Sequence, residues 1–90
     1  MDIKDLRFFV AVYETKGFSR ASEQLGTVQS NVSARIGGLE DVLGVSLFER
    51  QYRKIVPTES ADRLYEHAKE LLASFEHTKL LIKPEPEPVG

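Results

Sequence analysis

Ninety residues leave room for one small domain with a thin core, and the absence of cysteine excludes a disulfide frame and any thiolate metal site. No apolar run approaches the roughly 20 residues that span a bilayer, and Met1-Asp2-Ile3-Lys4-Asp5 lacks a signal-peptide core, so a cytoplasmic chain without a membrane partner is expected. The net charge of -2 is unevenly spread: residues 1–57 hold eight Lys/Arg against seven Asp/Glu, a balance of +1, while residues 58–90 hold four against seven, a balance of -3.

The first helix is predicted from Ile3 to Thr15, where Leu6, Phe9, Val10 and Tyr13 recur at helical spacing. Asp2 is its expected N-cap, Asp5 suits the positive end of the helix dipole, and Gly17 marks the stop. A second helix is expected from Ser19 as N-cap to Leu25, burying Ala21 and Leu25. A tight turn at Gly26-Thr27 leads into a third helix beginning near Thr27 or Val28. There Val28, Val32, Ile36, Leu39 and Leu43 fall at spacings of 4, 4, 3 and 4, an apolar seam that Leu43-Gly44 ends. Gly37-Gly38 inside this helix costs about 0.5–1 kcal/mol per residue relative to alanine. It reads as a locally soft helix or as room for another backbone or a ligand.

Val45-Ser46-Leu47-Phe48-Glu49-Arg50 roughly alternates apolar and polar residues, a strand pattern. Ile55-Val56 can pair with it across a turn at Gln51 to Lys54, and Pro57 ends the returning strand for want of an N–H. Thr58 then caps a long helix from Glu59 to Ile82, 24 residues and about 36 Å. Its apolar stripe includes Ala61, Leu64, Tyr65, Ala68, Leu71, Leu72, Phe75 and Ile82. One side of so small a domain cannot cover that length, so residues from Leu64 to Ile82 are expected to pair with the same helix of a second chain. Packing within one chain is the alternative. The tail from Lys83 to Gly90 alternates Pro and Glu and reads as an extended linker.

The expected fold class is therefore mainly α: a winged helix-turn-helix over residues 1–57, with three helices and a two-stranded wing, then a dimerisation helix over 58–82 and a tail over 83–90. In such a unit the third helix enters a DNA major groove. Gln29 can donate and accept in one plane, which suits adenine, and Ser30, Asn31 and Ser33 can reach bases or phosphates. Arg35 is a phosphate or base candidate. Arg50, Arg53 and Lys54 form a basic cluster in the wing, where Arg53 suits a narrow minor groove. Ser19 and Arg20 sit at a helix start, which binds phosphate through free N–H groups. Each of these residues also has a plain reading as a solvated side chain, a cap or a surface ion pair.

His67 and His77 are ten apart, about 15 Å along a helix, and cannot share a metal within it. No nucleophile triad, phosphate loop or carboxylate pair is evident, so neither an enzyme nor a cofactor is expected.

These residues resemble the N-terminal domain of LysR-type transcriptional regulators over roughly Met1 to Ile82. The resemblance rests on Leu6-Arg7-Phe8-Phe9-Val10-Ala11-Val12, Gly17-Phe18-Ser19-Arg20-Ala21-Ser22-Glu23-Gln24-Leu25 and Gln29-Ser30-Asn31-Val32-Ser33. Ile36 with Leu39-Glu40, Leu43-Gly44-Val45 and Leu47-Phe48-Glu49-Arg50 complete it. It implies binding of double-stranded DNA as a homodimer on an interrupted inverted repeat. It further implies an effector domain absent from this chain, and a tetramer in the full-length regulator. Three departures stand out. Val28 occupies a position where the family often has a capping Ser, leaving Thr27 to cap; Gly37-Gly38 replaces positions that often include a basic residue; Pro57-Thr58-Glu59-Ser60-Ala61 alters the joint into the long helix. The competing expectation is a protein-interaction module that uses the acidic long helix.

Overall fold

A computed structural model describes residues 1–82; the expected tail at 83–90 lies outside the described residues. The first helix, α1 (Ile3–Thr15), begins as expected. The Asp2 carboxylate accepts from the Asp5 N–H at 2.8 Å, and the Asp5 carboxylate accepts from the Asp2 N–H at 3.1 Å. This reciprocal cap satisfies donors that the helix itself leaves open. The end differs from expectation. Lys16, not Gly17, takes the left-handed cap conformation at φ 58°, donating its N–H to the Val12 carbonyl at 2.8 Å.

Gly17 is thereby released to precede α2 (Phe18–Leu25) in extended backbone, which moves Ser19 from its expected capping place to the second helical position. Ser19 instead offers its carbonyl to the Ser22 hydroxyl at 2.7 Å. Gly26, at φ 68°, closes α2. The third helix, α3 (Gln29–Leu43), starts from Val28 in extended conformation and ends at Gly44, φ 69°. Thr27 does not cap it: its hydroxyl oxygen accepts from the Asn31 side-chain amide at 3.0 Å.

The wing is an antiparallel pair, β1 (Phe48–Gln51) and β2 (Lys54–Pro57), in the register Phe48↔Pro57 to Gln51↔Lys54. The first strand starts later than alternation alone suggests. The Leu47 N–H is taken by the Glu40 carboxylate at 2.6 Å, which ties residues before it to α3. Tyr52 and Arg53 make the two-residue turn, at φ 50° and 67°. The fourth helix, α4 (Glu59–Ile82), is capped by Thr58, whose oxygen accepts the Ala61 N–H at 3.2 Å. The same hydroxyl donates to the Ser46 carbonyl at 2.7 Å, joining wing, loop and helix at one atom.

The core is built on Phe9, Val12, Val32, Leu39 and Leu47, with Ala21, Ala61 and Ala68 fully buried where helices approach closely. Full burial of a side chain such as Phe9 is worth about 1.5–3 kcal/mol. The α3 seam holds at Val32, Ile36 and Leu39, but Val28 is 65% exposed and Leu43 is also exposed. Both lie at the helix ends, beyond the central part that meets α1 and α2.

The α4 stripe divides. Ala68, expected on a partner-facing surface, is enclosed by its own chain, and Leu64, Tyr65 and Leu72 pack partly against the same core. The rings of Tyr13 and Tyr65 stack at 4.0 Å and 11°. Tyr13 donates to the Asp62 carboxylate at 2.7 Å and Tyr65 to that of Glu14, so α1 and α4 are bonded in both directions. The bond to Asp62, with burial and that carboxylate's charge, raises the Tyr13 hydroxyl to about 12. The expected boundary after residue 57 therefore runs through a shared core. Among the described residues no helix is long and apolar enough to cross a membrane.

Candidate nucleic-acid interface

The two helices of the α2–α3 pair start differently from the other two. Asp2 caps α1 and Thr58 caps α4, whereas Gly17 and Val28 give α2 and α3 no side-chain acceptor. The open N–H groups of a helix start carry partial positive charge and favour an anion.

The start of α2 and the wing enclose a cleft of about 540 Å³. It is lined by Lys16, Ser19, Arg20, Gln29, Arg50, Arg53 and Lys54, with no carboxylate among the lining residues. Six of these seven were anticipated from the sequence. Lys16 was not, although a cation just ahead of Gly17-Phe18-Ser19 was a readable signal.

Among the described residues, none of the five cleft cations pairs with a carboxylate; the ion pairs lie elsewhere. Arg7 bonds Glu76 at 2.6 Å, Arg63 bonds Glu59 at 2.7 Å, Lys69 lies 3.7 Å from Glu14, and Lys79 lies 3.2 Å from Glu76. Among the described residues the ion pairs thus lie on α1, α3 and α4, away from the cleft, and one concave face keeps its positive charge. A fixed local field of this kind attracts polyanions even where the net charge is negative.

The remaining candidates are distributed. Ser30 and Ser33 are exposed on α3, and Ser33 borders a separate hollow of about 210 Å³ shared with Glu40, Glu49 and Arg50. Asn31 and Arg35 lie beside Asp5, Ala34 and Gly38. Arg35 is bound by its own chain, 3.0 Å from Asp5, 3.9 Å from Asp2 and over the Phe8 ring at 5.4 Å. Burial pushes the Asp5 carboxyl up, but hydrogen bonds from Arg35 and the Asp2 backbone, together with the Arg35 charge, hold it below its ordinary value. Nothing lies within 4 Å of a methyl group built on Gly37 or Gly38, so no contact inside the chain requires glycine there.

A tight pair of helices followed by an antiparallel hairpin, with the basic cleft between them, defines a winged helix-turn-helix protein. The family described as "Bacterial regulatory helix-turn-helix protein, lysR family" matches residues 3–62. The chain belongs to that family, and its fold is that of the LysR-type DNA-binding domain.

It is 38% identical over 80 residues to the Hca operon transcriptional activator HcaR of Escherichia coli, covering 89% of this chain and 27% of that protein. It is 34% identical over 83 residues to the regulator BenM of Acinetobacter baylyi, covering 92% of this chain and 27% of that protein. The chain therefore spans about a quarter of the length of these relatives. Among solved structures, the BenM DNA-binding domain in complex with catB site 1 DNA superposes with a TM-score of 0.86 at 33% identity, covering 90% of this chain and 91% of that one. A full-length BenM structure superposes with a TM-score of 0.85 at 33% identity, covering 90% of this chain and 27% of that one.

Proposed function

We propose that this chain binds double-stranded DNA sequence-specifically as a homodimer, on an interrupted inverted repeat. The observation that carries the reading is the cleft itself: five unpaired cations gathered around an uncapped helix start, without a carboxylate among them. The α3 start, with Gln29 and the exposed Ser30 and Ser33, enters the major groove. Arg50, Arg53 and Lys54 of the wing, with Lys16 and Arg20, take the flanking phosphates and minor groove. Asn31 holds the turn before α3 through its amide bond to the Thr27 hydroxyl, and Arg35 serves DNA only by orienting α3 from its bridge to Asp5. Family membership and the DNA complexes of the BenM domain support the same reading.

The test is fluorescence anisotropy with a pool of short duplexes across a salt series. Binding is expected to weaken steeply with salt. Arg53→Ala is expected to weaken binding to all duplexes and to reduce the slope of log K against log salt by about 1. An unchanged slope would remove Arg53 from the interface.

Dimerisation is carried by the outer half of α4. Leu71, Phe75 and Ile82 are exposed and fall within about 40° of one another around the helix axis, a continuous apolar stripe. The two-fold axis of such a pair is mirrored in an inverted repeat. Leu71→Glu is expected to convert the dimer to a monomer by light scattering, while the circular dichroism of the folded domain persists. A dimer that survives this substitution places the interface elsewhere.

A further inference from the structure

The first residue of α3 is held by the second residue of α2. The Ser19 hydroxyl donates to the Gln29 side-chain carbonyl, Oγ to Oε1, at 2.9 Å. Both residues are exposed and both line the cleft, so neither bond partner serves the core. No other side chain bonds the Gln29 amide among the described residues, and the Ser19 hydroxyl has no other partner there.

An exposed glutamine ordinarily rotates freely and offers its two amide ends in either order. A glutamine that reads adenine must present them in one order, its oxygen toward the N6 amino group and its nitrogen toward N7. The bond from Ser19 to Oε1 holds the side chain in one place at the helix start; because a hydroxyl can both donate and accept, it fixes the position of the amide, and the base it meets selects the order of the two ends. The carbonyl oxygen has a second lone pair and both N–H donors remain, so the bond positions the amide without consuming its reading edge. Ordering the side chain in advance also removes an entropy cost that binding would otherwise meet.

We infer that Ser19 is a specificity-determining positioning residue: it holds the Gln29 amide in place for reading a base edge in the major groove. This rests on the DNA-binding reading above. It differs from a phosphate role for Ser19, which would add affinity equally on every sequence.

The experiment is selection from a random-core duplex library, followed by affinity measurement on the enriched duplex and its single-base variants. The wild-type chain, Ser19→Ala, Ser19→Thr, Gln29→Ala and the double alanine variant are compared, with melting temperatures to establish that each is folded. Ser19→Ala is expected to cut discrimination about two- to twelvefold at the same base pair that Gln29→Ala affects. The double variant is expected to lose no more than Gln29→Ala alone, and Ser19→Thr, which keeps the hydroxyl, to restore the profile. A uniform loss over all duplexes, a loss at a different base pair, or additive losses in the double variant would overturn the coupling while leaving DNA binding intact. Failure of the wild-type chain to enrich any sequence would overturn the DNA-binding reading and the coupling with it.

Discussion

Arg35 shows how a single side chain can be claimed by the fold before any ligand arrives. Its guanidinium joins α3 to the capped start of α1 through Asp5, and its stem and plane cover Phe8. The Asp5 carboxyl titrates below its ordinary 3.8 in the folded chain. A depressed carboxylate pKa adds stability that is complete above the unfolded value and lost as pH falls through the folded one. Arg35→Met, which keeps the stem on Phe8, is expected to cost about 1 kcal/mol at neutral pH, the bridge being partly exposed. That difference from wild type is expected to shrink below about pH 4. Urea denaturation at a series of pH values measures it; a cost that stays constant with pH would mean that packing, not charge, is what Arg35 supplies.

At the scale of the element, the wing turn is the place where local preference and fold disagree. A two-residue hairpin turn with both central residues at positive φ favours Asn-Gly, yet Tyr52-Arg53 stands there. Each such residue costs on the order of 1 kcal/mol. Tyr52 is 99% exposed, so its ring regains nothing from packing. Tyr52→Asn is expected to stabilise the domain by about 1 kcal/mol and raise its melting temperature by several degrees, with Arg53 and the salt dependence of binding retained. A lower melting temperature would show that the ring holds the wing in a way its exposure does not reveal.

The same turn marks the edge of what the sequence makes legible. The helices, the Thr58 cap and the strand ended by Pro57 follow from periodicity and cap chemistry, which are local. The stop at Lys16 is a local left-handed turn that lysine does not announce, while the late start of β1 and the burial of Ala68 depend on the assembled fold: the Glu40 carboxylate at Leu47, and α4 against the core. Of the candidate site, the cations announce themselves by type, but the gathering of Lys16, Arg20 and Arg53 around one cleft is a property of the assembled fold.

Across the whole molecule, charge is sorted rather than abundant. A chain of net charge -2 places its ion pairs along α1, α3 and α4 and, among the described residues, turns five unpaired cations to one side. The long helix is not a separate attachment, because Ala61 and Ala68 belong to the core of the unit that carries the cleft, and Tyr13 with Tyr65 bonds it twice to α1. That double bond makes α4 a rigid lever. From Tyr65 to Ile82 the helix runs about 25 Å, so a tilt of roughly 10° at the tyrosine stack displaces the far end by about 4 Å. The axial rise per base pair is only about 3.4 Å. In a dimer joined at the outer half of α4, a change in the angle at this stack therefore shifts the separation of the two clefts on the scale of a base pair. Tyr65→Leu, which removes ring and hydroxyl without touching a base-reading residue, is expected to leave the preferred half-site sequence unchanged but to widen the range of spacer lengths accepted. Affinity across duplexes of graded spacer length measures this, and an unaltered spacer preference would show that the angle is held elsewhere. A widened range would place the operator's ruler in a pair of stacked phenols.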